Sequence, residues 1–174
     1  MKKRGTFIWV LAAFLWIGLI FLLSSRTGHD SNETSRSMAT VMSRIFIPDY
    51  SAWGPSTQSD WIEGINNLLR KMAHIFEFGM LGILVYRMMV YFAGSIRRKK
   101  PANKFSLGMG SFYICALVSA LDEFIQRSSA GRNASTTDMM IDIAGAILGI
   151  VVCSYLTELP GAYQQRRRSA HRRG

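Results

Sequence analysis

Apolar residues in this chain are concentrated in four long blocks separated by polar links. The blocks are Phe7–Leu23, Met72–Ala93, Phe105–Phe124 and Met139–Leu156. At ~1.5 Å per helical residue, each block comes close to the ~30 Å thickness of a bilayer's hydrocarbon core. Backbone polar groups in lipid need internal partners, so each block is predicted to be an α-helix. The pattern predicts an all-α, integral membrane four-helix bundle and excludes a soluble globular domain.

The first block follows Lys2, Lys3 and Arg4, as the apolar part of a secretory signal peptide would. However, it is longer than the ~7–15 apolar residues usual for such a peptide, and Leu23-Ser24-Ser25 is a poor cleavage site. We therefore expect an uncleaved membrane anchor.

The first link contains two segments with the periodicity of amphipathic helices. Their apolar positions are Met38, Val41, Met42, Ile45 and Phe46 in one, and Trp61, Ile62, Ile65, Leu68 and Leu69 in the other. Pro48, Gly54 and Pro55 predict a break between them, and Asp60 with Glu63 resembles a capping box that starts the second helix. We expect both helices to lie on the outer membrane surface or to roof the bundle, and the second to run directly into span two.

These features predict four segments. They are a first span with a cytoplasmic N-terminus (residues 1–24), an extracytoplasmic loop with amphipathic helices (25–70), a core of three spans (71–158) and a basic cytoplasmic tail (159–174).

The net charge of +10 is explained by membrane topology. Basic residues without any acid occupy Lys2–Arg4, Arg97–Lys104 and Arg166–Arg173, whereas the link from Ser24 to Lys71 balances its charges. The positive-inside rule makes both termini and the second link cytoplasmic, so a multi-pass protein is predicted. This explanation leaves no need for a nucleic-acid partner. Cys115 and Cys153 lie within apolar blocks, which argues against a disulfide framework or a zinc site.

Ionisable and other polar groups also lie at span ends, where burying them in lipid costs free energy. Span two opens with Lys71, His74 and Glu77; span three ends with Asp122, Glu123 and Gln126; the last link and span four carry Arg127, Arg132, Asp138 and Asp142. In the predicted topology all of these groups lie at one depth, near the outer interface. Their convergence is the strongest functional signal in the sequence.

The spacing of these residues resembles that of the VanZ-like membrane proteins. The resemblance rests on Lys71-x-x-His74-x-x-Glu77-Phe78-x-x-Leu81-Gly82, Asp122-Glu123-x-x-Gln126, Gly131-Arg132, Asp138, Asp142 and Gly145-x-x-x-Gly149, and more weakly on Ser24-Ser25. It departs from the family pattern at Asp142, where many relatives have Asn, and at Arg26, where they have Gln. The resemblance implies a small multi-pass protein of the bacterial cell membrane and a link to low-level teicoplanin resistance. It implies no established reaction or substrate.

Two functions fit the polar cluster, and the sequence leaves open whether the protein is an enzyme. One is an enzyme acting on an anionic lipid or a cell-envelope precursor, with candidate catalytic residues His74, Glu77, Asp122 and Glu123. Candidate substrate-binding residues are Lys71, Gln126, Arg132, Asp138 and Asp142. The other is a binding protein for a lipid headgroup, a peptidoglycan-related anion or a glycopeptide.

A third interpretation is purely structural, with the charges forming an ion-pair lattice that fixes helix register. Membrane lipids are the expected partners, and the oligomeric state stays open. No cofactor and no metal ligand is predicted, since no His-Glu-x-x-His signature is present; a divalent ion on Asp122, Glu123, Asp138 or Asp142 is a minor alternative.

Charge balance predicts specific contacts. The cluster has more acids than bases, so the excess needs a carboxyl proton, a metal ion or a donor such as Gln126. We expect Arg132 to fold back onto Asp122 or Glu123, and His74 to contact a carboxylate of span three or four. We count no polar side chain between Phe7 and Leu23, so span one is expected to stay outside the network and to serve as packing.

Overall fold

The structure, a computed structural model, describes the backbone of residues 2–26, 28–96, 103–129 and 136–171 and the side chains of 7–26, 32–94, 103–129 and 136–157. Within these ranges the chain forms five α-helices and no strand: α1 (Lys2–Ser24), α2 (Gly28–Phe46), α3 (Pro55–Ile96), α4 (Lys104–Ser128) and α5 (Thr136–His171). Four of the five, α1, α3, α4 and α5, are long and apolar enough to cross a membrane. The predicted all-α architecture with four spans is confirmed.

Helix α3 is the central element, because it packs against each of the other four helices. Phe78, Leu81 and Val85 recur at helical spacing on one face and are fully buried, together with Ile20 of α1 and Cys115 of α4. Large apolar side chains also cover the outside of the bundle, among them Phe14, Tyr113, Leu117 and Leu148. An apolar exterior is what a lipid-exposed bundle requires.

The contact between α3 and α5 depends on glycines. A Cβ atom added at Gly145 would lie 2.7 Å from the carbonyl oxygen of Ile75, and one at Gly149 would collide with the carbonyl oxygen of Gly79. Small residues let two helix backbones approach closely, and Gly145-x-x-x-Gly149 has the spacing of such a contact. Because Ile75 follows His74, this close approach also brings His74 towards α5.

The first link contains two helices, as predicted, but the second begins earlier than expected. Helix α3 starts at Pro55 instead of at the Asp60–Glu63 capping box, which is therefore a wrong start signal. Proline suits the first helical turn because its missing N–H needs no partner there, and the Gln58 N–H already bonds the Gly54 carbonyl. The helix then continues without interruption across position 70 into the span, as expected.

Helix α2 packs on α3 through small residues. Ala39 and Ser43 are buried, and the indole N–H of Trp61 donates to Ser43 Oγ at 3.1 Å. The predicted apolar stripe lies on a different face, and Val41, Ile45 and Phe46 remain exposed. The segment between α2 and α3 reverses through Asp49, whose φ of 58° is left-handed, and a short 3₁₀ turn at Tyr50–Ala52.

Helix α5 extends beyond its apolar part. The apolar block ends at Leu156, whereas the backbone stays helical through His171. The predicted basic tail is thus a continuation of the last helix up to that residue.

Candidate functional site

Polar side chains from four helices meet at one end of the bundle. The closest pair joins α3 to α5, with His74 Nδ1 only 2.9 Å from Asp142 Oδ1. Asp142 is 1% exposed and the His74 side chain 14%. The predicted contact between His74 and a carboxylate of span three or four is confirmed, and it falls on α5.

Asp142 is held from a second side by α4. The Ser119 hydroxyl donates to Asp142 Oδ2 at 3.0 Å, so each carboxylate oxygen has a different helix as its partner. Ser119 is itself fully buried. Hydrogen bonds on both oxygens fix the orientation of the carboxylate, as a positioned functional group requires.

Asp122 is the second fully buried carboxylate. The Gln126 amide, one turn further along α4, donates to Asp122 Oδ2 at 2.7 Å, which confirms Gln126 as a donor that relieves the acid excess. Ser24 of α1 also hydrogen-bonds the Asp122 carboxyl group. The Oδ1 atom of Asp122 is nonetheless buried without a hydrogen-bond partner among the described residues.

Helix α1 takes part in the site, so the expectation that span one stays outside the network is wrong. Its last residue, Ser24, is buried and contacts Asp122. About two turns earlier on α1, the Trp16 indole N–H donates to the backbone carbonyl of Glu77 at 2.9 Å. The expectation treated Phe7–Leu23 as a stretch without polar side chains, whereas the Trp16 indole N–H is a hydrogen-bond donor and Ser24 directly follows that stretch.

In the part of the chain that the structure describes, two small clefts open beside His74. The first, of about 130 Å³, is lined by Leu23, Ser24, Arg26, Arg70, Ala73, His74 and Glu77. The second, of about 120 Å³, is lined by Asn67, Arg70, Lys71, His74 and Asp138. Arg70 and His74 line both clefts. Each cleft therefore combines the imidazole, at least one cation and one acid.

The other predicted site residues lie in the walls of the two clefts, in the buried part of α4, or outside the described residues. Glu77 lies in the wall of the first cleft, and Lys71 and Asp138 in the wall of the second. Glu123 is buried on α4. Arg132, and with it the predicted contact to Asp122 or Glu123, falls outside the described residues.

Sequence reasoning missed Ser119 and Arg70. Ser119 precedes Asp122 and Gln126 by three and seven residues, so helical spacing places all three on one face of α4. That signal is weak, because a serine in a helix often bonds its own backbone, as Ser111 does here with Leu107. Arg70 precedes the predicted start of span two and was counted only as a loop charge.

The cluster has the composition of a cation site as well as of an acid–base site. His74, Asp122 and Asp142 each offer one ligand atom, and these atoms all lie within 4.8 Å of one another. An imidazole beside a fixed carboxylate is also an arrangement that can carry a proton to or from a bound molecule. Two carboxylates and a histidine from three helices thus converge on one small volume.

A comparison with protein-family models matches residues 9–157 to the model described as VanZ/LLP1. The chain belongs to the VanZ/LLP1 family. The polar motifs begin at α3, whereas this match also covers most of α1, including Ser24 of the site. Comparisons with curated proteins and with solved structures found no match. This VanZ/LLP1 chain therefore has to be interpreted from its own geometry.

Proposed function

We propose that this VanZ/LLP1 protein binds the phosphate of an anionic lipid or a lipid-linked cell-envelope precursor in the two clefts beside His74. The observation that carries the proposal is that Arg70 and His74 line both clefts directly beside the buried carboxylates. A guanidinium group can donate two parallel hydrogen bonds to a phosphate. Arg26 adds a cation to the first cleft and Lys71 to the second.

Cleft size and position favour a lipid headgroup as the ligand. Volumes of about 130 and 120 Å³ are well below the ~300–1,000 Å³ of pockets that enclose drug-sized molecules. Such a cleft suits a phosphate group whose attached chains lie elsewhere. Leu23 in the wall of the first cleft and the exposed apolar stripe of α2 provide apolar surface for those chains.

Proton transfer to the bound phosphate ester is the second candidate function. It is favoured by one observation, the 2.9 Å pairing of His74 with the buried Asp142. A carboxylate that orients an imidazole is a common arrangement for general acid–base catalysis. In an enzyme, His74→Ala and Glu77→Gln abolish turnover while folded protein stays in the membrane; in a binding protein they weaken affinity by degrees.

The experiment is lipid mass spectrometry on the full chain in nanodiscs that contain phosphatidylglycerol and phosphatidylcholine. We expect phosphatidylglycerol to be enriched, and Arg70→Gln to weaken its binding about tenfold, since a charge-assisted hydrogen bond contributes ~1.5–3 kcal/mol. The matched control is Arg44→Gln, an exposed arginine of α2 that lines neither cleft. A change in the mass of the bound lipid during incubation identifies an enzyme.

Equal retention of both lipids, with no effect of Arg70→Gln, would contradict the binding proposal. In a bacterial host, the same two variants test whether the proposed role in teicoplanin resistance depends on the clefts. We expect expression of the parent chain to lower teicoplanin susceptibility, the control variant to do the same, and Arg70→Gln to have no such effect.

The proposal includes an orientation in the bacterial cell membrane, with both termini cytoplasmic and the clefts at the outer face. It is supported by the acid-free basic segments and by the positive-inside rule. A reporter fused after Arg98 is expected to be cytoplasmic, and one inserted near Asp49 external. The reverse result would place the clefts at the inner leaflet and exclude extracytoplasmic precursors as ligands.

A further inference from the structure

We propose that His74, Asp122 and Asp142 bind one divalent transition-metal ion, of the class represented by Zn²⁺ and Mn²⁺. The three residues come from α3, α4 and α5, so the ion would join three membrane-spanning helices. This proposal goes beyond lipid binding and does not depend on it, because the protein side chains alone supply three ligands.

The His74–Asp142 pair has the spacing of two ligands on one ion, and a carboxylate oxygen of Asp122 lies close to both. All three ligand atoms lie within 4.8 Å of one another, and His74 Nδ1 is 2.9 Å from Asp142 Oδ1. Two ligand atoms at ~2.1 Å from one ion and at right angles are about 3 Å apart. A metal ion would take the place of the proton that these two atoms otherwise share.

Asp122 provides a second observation that indicates a bound ion, independent of the His74–Asp142 distance. Its side chain is 1% exposed, and its Oδ1 atom is buried without a hydrogen-bond partner among the described residues. Leaving a buried carboxylate oxygen unsatisfied costs free energy, so an open oxygen beside a histidine and a second carboxylate indicates a missing partner. Asp122 and Asp142 together carry a formal charge that one divalent cation neutralises.

The surrounding hydrogen bonds leave the same two oxygens available. Ser119 donates to Asp142 Oδ2 and Gln126 to Asp122 Oδ2, which leaves Asp142 Oδ1 paired with His74 and Asp122 Oδ1 without a hydrogen-bond partner among the described residues. Partners of this kind fix metal ligands in position, and their loss typically weakens metal binding ~10–100-fold.

The ligand types indicate which ions are suitable. One imidazole with two carboxylates is a mixed nitrogen and oxygen set, which favours Zn²⁺, Mn²⁺ or a related ion over Ca²⁺ or Mg²⁺. Three protein ligands leave a coordination position open, as in catalytic sites. His74 lines both clefts, so that position can be reached from them by water or by a phosphate oxygen.

The test uses the full chain in detergent without an affinity tag. The protein is stripped with EDTA and dialysed separately against Zn²⁺ and Mn²⁺, and its metal content and affinity are measured. We expect one equivalent of bound metal and a rise in the unfolding temperature on metal addition. Asp122→Asn and Asp142→Asn should each weaken binding on the order of 100-fold, and Ser119→Ala, which keeps all three ligands, about tenfold.

Two controls separate this site from others. Asp138→Asn removes an acid one turn before Asp142 that is not part of the ligand cluster, and it should retain the metal. Replacing the other two histidines, as His29→Gln with His171→Gln, should also leave binding unchanged. Circular dichroism identifies variants that lose metal because they unfold; if both asparagine variants unfold, Ser119→Ala decides the result.

Less than a tenth of an equivalent on the folded parent chain would overturn the proposal, as would unchanged affinity in folded Asp122→Asn and Asp142→Asn. Loss of binding in the His29 and His171 variant would also overturn it, by assigning the ion to those two histidines. Phosphatidylglycerol binding measured in the presence of EDTA tells the two proposals apart, because Arg70 and Lys71 remain charged without the metal.

Discussion

The two ends of the bundle accommodate charge in different ways. At one end Arg87 is half-buried, and its guanidinium lies 4.9 Å from the centre of the Trp9 ring and 5.7 Å from that of Tyr91. At the other end two carboxylates are almost completely buried and are held by His74, Ser119, Gln126 and Ser24. Arg87 is stabilised by aromatic ring faces, whereas Asp122 and Asp142 belong to a network of side chains from four helices.

This difference agrees with the proposed function, in which the acids serve more than packing. An arginine near a membrane interface can extend its flexible side chain and contact ring faces at small cost. Burying two carboxylates costs several kcal/mol, and well-packed apolar residues often stabilise a protein equally well. The end that contains Asp122 and Asp142, here called the acidic end, therefore carries a free-energy cost that the proposed binding site or active site would account for.

The largest effect is expected from separating α3 and α5 with Gly145→Leu. The new side chain meets the Ile75 backbone, where a Cβ alone would be 2.7 Å from a carbonyl oxygen, so about 3 kcal/mol of stability should be lost. Since Gly145 lies one turn from Asp142, lipid binding at the acidic end should fall as well. Thermal unfolding in detergent and lipid mass spectrometry measure the two effects, while the Arg87 end should keep its contacts.

Gly18→Leu is the matched control, because nothing lies within 4 Å of a Cβ at Gly18 and the new side chain would face outward from α1. Equal losses of stability in the two variants would show that the acidic end does not depend on the close approach of α3 and α5.

Double-mutant cycles compare the two ends directly. The coupling energies that they measure are expected to be smaller than the loss of stability in Gly145→Leu. We expect a coupling energy of about 2 kcal/mol between His74→Gln and Asp142→Asn, as for neighbours in one buried network. The cycle of Arg87→Gln with Trp9→Leu should give ~0.5–1 kcal/mol, the usual range of a cation–π contact. Both cycles are measured by unfolding in mixed detergent micelles.

The cycles also test the ion-pair lattice as the alternative to a functional site. If the single variants at His74 and Asp142 never accumulate in the membrane, the charges serve helix register. Stable variants that have lost lipid binding support the functional interpretation.

Much of the site could be predicted, because helical spacing and membrane depth are properties of the sequence. The pairing of His74 with a carboxylate and the use of Gln126 as a donor followed from charge balance across span ends. The start of α3 could not be predicted from Asp60 and Glu63, since Gly54 and Pro55 already provide a favourable first turn. Ser119 was missed because a hydroxyl gives little signal until its partner is known, and Ser24 was noted only through the family resemblance.

The sequence by itself determined four membrane-compatible helices and the end of each helix at which polar groups gather. Both follow from local rules, the apolar length needed in lipid and the need to satisfy the backbone internally. The tertiary structure decided that His74 meets Asp142, that Ser24 reaches Asp122, and that one oxygen of Asp122 remains open. These contacts depend on helix rotation and separation, since side chains turn about 100° per residue and the glycines of α3 and α5 set how closely the two backbones approach.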